Sequence, residues 1–600
     1  MQEQSPGTTY KKLIYKHQAH LKELLQKRNR LGWGRLFVFL LTAFIAYKLF
    51  VSAGLIGLIP IVIGFGLLLY LISLDTTNNN QIINCKTLIK INEEELQVLE
   101  DNYMQRENGN SFAPEQHDYA NDLDLFGHAS LFQWLNRCHT EQGRMLLAEN
   151  LLHPLPVSII MQRQEAIKEV THEIEWRQQL QSYAVQTAVT IKTQEKAAAW
   201  LKEGDIHYKS SAWKPFYIIY SFITLGSLVA TIFGYIPVPF FTSLYLLYFT
   251  ISIILSRNTA EPYIQLSGIV EEIATLHLLV KWIEDKPFQS SLVNQYKQQA
   301  GTGEAKAAGN IKELKKILDR FDLRVSIVGR LFFNAFLLWD VRQMIALNEW
   351  RSRNRQHLNH WFNMVAAMEV LHTLATLHFN HKDWAFPSFT NQHLVFDGKK
   401  IGHPLIPARS RVTNDFDIKG TGVIGLITGS NMAGKSTFLR SIGVNVVLAQ
   451  AGAPVCADSL TLSPVCLMSS MRIADNLAEN TSTFYAELKK LKTIIEAVNR
   501  HEPVFILLDE ILRGTNSMDR HKGSQALIAQ LVKQNAVAVI ATHDLELAKM
   551  EKQFGTSIEN YHFDVQVEGE ELYFDYKLKE GVCTSLNASI LMKKIGIELQ

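Results

Sequence analysis

The sequence is poor in the features that mark several functional classes. Its five cysteines, Cys85, Cys138, Cys456, Cys466 and Cys583, form no Cys-x-x-Cys pair and have no histidine partner at metal-ligand spacing. That excludes a cysteine-based metal cluster and predicts reduced thiols. Formal net charge is only +2, so no chain-wide field draws a polyanion. No period of about 20 to 50 residues recurs, which excludes a repeat array. The most informative shortage is local. Phe216 to Leu255 contains no charged residue, and Leu36 to Leu74 contains only Lys48.

These two blocks account for a hydrophobic content of 47% in a chain of 600 residues, long enough for several domains. Each is about twice the roughly 20 apolar residues that a helix needs to cross a bilayer. A soluble core seldom requires such a run with no polar face. Each block therefore reads as a helical hairpin, turning near Ser52-Ala53-Gly54 and near Gly234-Tyr235-Ile236-Pro237-Val238-Pro239. A cleaved signal peptide fits worse, because the first block starts late and a second span follows at once. Lys11, Lys12, Lys16, Lys22, Lys27, Arg28, Arg30 and Arg35 precede the first span, against Glu3 and Glu23. The expectation is an inner-membrane, multi-pass protein with its N-terminus in the cytoplasm. The basic segment faces anionic lipid, and Lys48 snorkels to the interface.

Chemistry concentrates near the other end. Gly429-Ser430-Asn431-Met432-Ala433-Gly434-Lys435-Ser436-Thr437 satisfies G-x-x-x-x-G-K-[ST] between a strand-like run, Gly422 to Thr428, and a helix-like run from Phe438. This is the context of a phosphate-binding loop, with free N–H groups and a helix N-terminus facing the anion. The bland alternative is a glycine turn. Val504 to Asp509 reads as a buried parallel strand ending in Asp509-Glu510. Asp509 and the Ser436 hydroxyl are candidates for a Mg²⁺ shell, Glu510 for the base that orients or deprotonates water, and Lys435 for the β/γ-phosphate charge. A third apolar strand, Ala536 to Thr542, delivers His543 to the same edge. Taken singly, the acidic pair reads as a solvated turn and the histidine as structural; together with the loop they read as a hydrolytic site.

These residues resemble the MutS branch of the ABC-type ATPases. The family's T-G-x-N-M-x-G-K-S-T corresponds to Thr428–Thr437, its L-L-D-E-x-x-R-G-T to Leu507–Thr515, and its A-T-H to Ala541–His543. Met471 to Leu477 and Thr481-Ser482-Thr483-Phe484 are similar to a further segment, whose serine in the family faces the nucleotide of the partner subunit. The resemblance thus implies an ATP- and Mg²⁺-dependent homodimer with Ser482 reaching across. It also makes Asn516, Ser517 and Asp519 a candidate interface loop. A helix cap is the alternative for Ser482. Leu512 stands where the family usually has glycine, and Arg520-His521 departs from it as well.

More weakly, Asp122 to Gly127, Leu131 to Asn136 and Gly143 to Leu155 resemble the start of the family's helical core, and Phe336 to Asp340, with Trp384 to Pro387, its return. The implied architecture is a multidomain chain: an α/β P-loop ABC-type ATPase at the C-terminus and an α-helical MutS-like core with two transmembrane hairpins. Its parts are a basic segment (1–35), a first hairpin (36–75), core (76–215), a second hairpin (216–255), lever helices (256–390) and the ATPase domain (391–600). The family's mismatch-reading module, with its F-x-E wedge, has no visible counterpart. The resemblance implies DNA as ligand and mismatch repair as setting. The competing expectation is an ATP-driven motor acting on a membrane protein partner without DNA.

Overall fold

The computed structural model describes residues 5–202, 208, 212–301, 306–430, 433–472, 483–568 and 571–583. Two long helices open the chain, Pro6–Ala53 and Leu58–Leu99, joined by a single turn of 3₁₀ helix at Gly54–Gly57. Ser5 starts the first by accepting the Thr8 N–H, with Pro6 in the first turn where its missing donor costs nothing. Both helices run well past the apolar block. Their polar ends form a stem, and Arg35 pairs with Asp75 at 3.1 Å where the apolar stretch begins and ends.

The stem is locked to a helical core. Tyr10 donates its hydroxyl to Asn380 Oδ1 at 2.7 Å, and Asn380 Nδ2 donates to Glu95 Oε2 at 3.0 Å. Arg137 Nε and Nη2 donate to the two Glu95 oxygens, each at 2.9 Å. Asn380 ends the long helix Leu358–Asn380, which is buried along nearly its whole length and is the axle of the core.

A second hairpin, Trp213–Ile232 and Val238–Ser256, projects from this core and turns through Gly234. All four hairpin helices are long and apolar enough to cross a membrane. The segment from Phe336 to Asp340, expected as the return of the core, divides. Trp339–Asn354 does pack as a core helix, but Phe336 and Leu338 are buried against or beside the second hairpin. The strong apolar character of Leu331 to Leu338 made the two settings indistinguishable in one dimension.

The C-terminal part is an α/β layer. Its main sheet has the order β10-β9-β4-β8-β7-β6, with β4 Ile424–Thr428, β6 Cys466–Ser470, β7 Val504–Asp509, β8 Val537–Thr542, β9 Ile558–Glu568 and β10 Glu571–Glu580. All neighbours are parallel except the β9/β10 edge. The period of two in a strand sorts side chains between the faces. Ile427, Leu507, Val539 and Ala541 pack toward helix Lys435–Gln450 and the rest of the chain. Leu426, Ile506, Leu508 and Ile540 pack toward helices Thr483–Asn499 and Ser517–Lys533. A small second sheet, β1 Ser388–Phe389, β5 Ser459–Leu462, β2 Val395–Ile401 and β3 Asn414–Lys419, lies beside it.

Candidate nucleotide site

Three parallel strands bring the predicted residues to one edge. In register, Thr428 is level with Thr542, and Asp509 with Ala541, so the loops after β4, β7 and β8 emerge side by side. Ligands of open α/β sheets bind at this carboxyl end. Gly434 caps helix Lys435–Gln450 at φ 101, a left-handed conformation that glycine adopts without a Cβ penalty. Ser436 and Thr437 occupy the first helical turn. Lys435 is 2% exposed, and its ammonium donates to the Gly429 and Ser430 carbonyls at 2.7 and 2.8 Å. Burial lowers its pKa, and the charges of Glu510 and Asp509 oppose that shift.

Asp509 is buried, and its Oδ1 has no hydrogen-bond partner among the described residues. A buried carboxylate oxygen left unpaired is costly, and such an oxygen is a ready metal or donor ligand. Arg513 joins the two acids, with Nη2 3.4 Å from Asp509 Oδ2 and Nε 3.2 Å from Glu510 Oε2. His543 Nδ1 lies 3.8 Å from Glu510 Oε1, near it but beyond a hydrogen bond, and the imidazole is 42% exposed. Glu510 and Leu512 both hold positive φ, 52 and 61. The left-handed backbone at Leu512 explains why glycine is expected there. The Glu487 carboxylate accepts from the Leu512 and Arg513 N–H groups and holds this turn. Strained backbone of this kind persists where its surroundings over-determine it.

Beside the loop opens a cavity of about 330 Å³ whose walls include Lys435, Ser436, Thr437, His403, Ser410 and Tyr576. Burial lowers the His403 pKa to about 4, with Arg440 and Arg411 adding to the effect, so the imidazole there is neutral. Arg513, His403 and Tyr576 were not assigned roles from sequence. Arg513 lay inside a recognised motif, but the others come from segments whose proximity only the fold creates.

The residues expected at a dimer interface have a local arrangement within the single chain. Asn516 caps helix Ser517–Lys533, its Oδ1 accepting the Asp519 N–H at 2.9 Å while its Nδ2 donates to Asp519 Oδ2 at 2.7 Å. Asn516, Ser517 and Asp519 thus form a helix start, and that local role accounts for their residue types. Asn431, Met432 and Ser482 lie outside the described residues. The helical core docks on the α/β domain. Asp122 accepts from Ser469 Oγ and the Arg472 N–H at 2.7 and 2.9 Å and pairs with Lys490. Asp124 pairs with Arg472 and, at 3.1 Å, with Arg440 of the helix that follows the loop.

The fold and this edge define a multidomain protein with a helical N-terminal region and an α/β domain. The comparisons make that class specific. Residues 425–594 match the model of MutS domain V, and residues 112–210 that of MutS domain III. The resemblance to the MutS family therefore holds over these two domains. A DNA mismatch repair protein MutS from Thermotoga sp. (strain RQ2) is 33% identical over 239 residues, 39% of this chain and 29% of the relative. One from Persephonella marina is 30% identical over 241 residues, 40% of this chain and 27% of the relative. One from Aquifex pyrophilus is 31% identical over 224 residues, 36% and 25%. The chain thus spans less than a third of the length of these relatives.

Proposed function

We propose that this protein is a membrane-anchored, dimeric ATPase of the MutS type whose nucleotide cycle moves the helical core against DNA. The observation that carries the reading is the convergence of Lys435, Asp509, Glu510 and His543 at the ends of three adjacent parallel strands, beside a cavity. In this reading, the loop from Gly429 to Thr437 cradles the phosphates of ATP and Lys435 balances their charge. Asp509 Oδ1, without a partner among the described residues, fits a hard cation, so Asp509 and Ser436 would hold Mg²⁺, which when bound neutralises phosphate charge. Glu510 accepts a proton from the attacking water. Arg513 keeps the two carboxylates apart in role, and His543 orients the water or the terminal phosphate.

Membrane anchorage is supported by the two hairpins, whose outward surfaces are apolar, and by the Arg35–Asp75 pair at the base of the first. An even number of spans leaves the N-terminus and the ATPase domain together on the cytoplasmic side. DNA as ligand is supported by the relatives' names.

The test is the ATPase rate of the full chain in vesicles, with and without duplex, mismatched and branched DNA, beside Lys435→Ala. The expected results are loss of hydrolysis in the variant and stimulation of the natural chain by one DNA form. Normal hydrolysis by Lys435→Ala would remove the site from consideration. Normal hydrolysis without any DNA effect would move the reading to a motor acting on a membrane partner.

A further inference from the structure

Between Asp322 and Asp340 the chain leaves the core, runs along the second hairpin and returns. Its neck is closed: Arg324 Nε lies 3.6 Å from Asp340 Oδ2, and Arg324 Nη1 lies 3.3 Å from the Thr259 carbonyl. Thr259 follows helix Val238–Ser256, so entry and exit sit at the same end of the hairpin. The inward side is pinned by hydroxyls. Tyr245 donates to the Leu331 carbonyl at 3.0 Å, Tyr220 to Ala335 at 2.9 Å, and Thr224 to Phe336 at 2.7 Å. Thr224 and Tyr245 each lie about eleven residues from the neck end of their helices. At 1.5 Å per residue this is roughly 16 Å, about half of a ~30 Å hydrocarbon layer.

The backbone here is irregular, with a π-helical turn at Gly329–Asn334 and Leu338 at φ 47. Irregular backbone at membrane depth persists only where its freed polar groups find protein partners, and the three hydroxyls supply donors to three carbonyls. A Cβ at Gly329 would stand 1.6 Å from the Leu323 carbonyl oxygen, so only glycine lets the chain fold back. The outward side is bare: Val325, Ile327 and Val328 are 68, 77 and 63% exposed. They extend the exposed apolar surface of the hairpin, on which Phe222 and Ile254 also stand open.

We propose that residues 325–338 are a re-entrant membrane segment whose outward side chains contact acyl chains of one leaflet. The inference rests on the reading that the second hairpin spans the bilayer. The occupant is lipid, because the segment is continuous with that hairpin's apolar surface and both of its ends are gathered at one polar neck. Arg330, the single charge between Arg324 and Asp340, is exposed and acts with Arg324 on the buried Asp340 carboxylate. Its long stem lets the guanidinium reach the headgroup layer from a segment confined to one leaflet.

The experiment uses the full chain with exposed Cys466 replaced by serine, reconstituted in phosphatidylcholine/phosphatidylglycerol vesicles. In this background, whose remaining native cysteines Cys85, Cys138, Cys456 and Cys583 are buried, one added cysteine at a time carries an environment-sensitive fluorophore: Ile327→Cys, Val328→Cys, Phe222→Cys on the hairpin, or Lys492→Cys on a water-exposed helix of the α/β domain. Emission at 327 and 328 is expected to be blue-shifted, lost to doxyl-labelled lipid and insensitive to iodide, as at 222. Iodide quenching at 327 and 328 with lipid quenching at 222 would overturn the segment and leave the hairpin standing. Iodide quenching at all three would overturn both. Protection at 327 and 328 from both quenchers would mean protein, such as a second copy, covers this face, and would also overturn the proposal.

Discussion

Two clusters in this protein pair carboxylates with arginine, and they differ in how completely each group is satisfied. Where the stem of the first hairpin meets the core, Glu95 is buried with both oxygens engaged by a bidentate Arg137 and by Asn380, itself bonded to Tyr10. At the sheet edge, Arg513 sits off to one side of Asp509 and Glu510 at 3.2 to 3.4 Å, Asp509 Oδ1 has no partner among the described residues, and His543 stands just beyond hydrogen-bond range. The first cluster is a finished joint that holds one geometry. The second keeps capacity in reserve, as a site that must take up a ligand does.

Substitutions in the two clusters should therefore fail in different ways. Glu510→Gln should bind ATP and fold normally yet hydrolyse about 10² to 10⁴ times more slowly, the usual loss of a general base. Single-turnover hydrolysis beside a melting curve checks this, and an unchanged rate would dismiss Glu510 as the base. Arg137→Met should do the reverse. Stranding Glu95 as a buried, unpaired charge costs about 3–5 kcal/mol, visible as a lower melting temperature, and adding Glu95→Gln should recover part of it. A melting temperature unaffected by Arg137→Met would contradict the joint.

Acid should separate the regions more gently. The buried imidazoles of His139, His381 and His403 are depressed to about 3, 4 and 4, chiefly by burial. In the unfolded chain they titrate near 6.5, so below that the unfolded state binds more protons and stability falls as pH falls. Burial raises Glu369 to about 7, so between pH 7 and 4.5 this carboxyl works in the opposite sense. Burial lowers His17, His117, His277, His372 and His378 in the same sense and raises Glu284, Glu487 and Glu559 in the sense of Glu369; the imidazoles are the larger set, which predicts a net fall in melting temperature from pH 7.5 to 5. A flat or rising profile would count against these neutral histidines. Smallest of all, Asn516→Ala should cost about 1 kcal/mol, the typical worth of a helix cap. A loss of ATPase activity out of proportion to that stability change would support the interface role of Asn516 beside its cap.

Much of the sheet edge was legible in the chain. The strands ending at Thr428, Asp509 and Thr542 are buried on both faces and so appear as largely apolar runs, followed at once by Gly429 of the loop, by Glu510 and by His543. The hairpin turns were legible for the same reason, since glycine and proline interrupt uncharged blocks. Asn516 shows the limit. Its neighbourhood resembles an interface loop, and a cap demands the same residue types for a local reason, so residue type alone does not separate the two roles.

The sequence by itself determined which stretches are apolar throughout, which strands are central and which motif residues stand at their ends, because each is written in local periodicity and residue type. Only the tertiary structure decided that the first hairpin continues as a stem locked through Tyr10, Glu95 and Arg137. It likewise decided that Asp122 and Asp124 dock on Arg440, Arg472 and Lys490, and that residues 325–338 lie along the second hairpin. Those pairings join residues up to about 370 positions apart. Their partners are chosen by which surfaces the fold brings within a few ångströms, and nothing in the local pattern of either member records that choice.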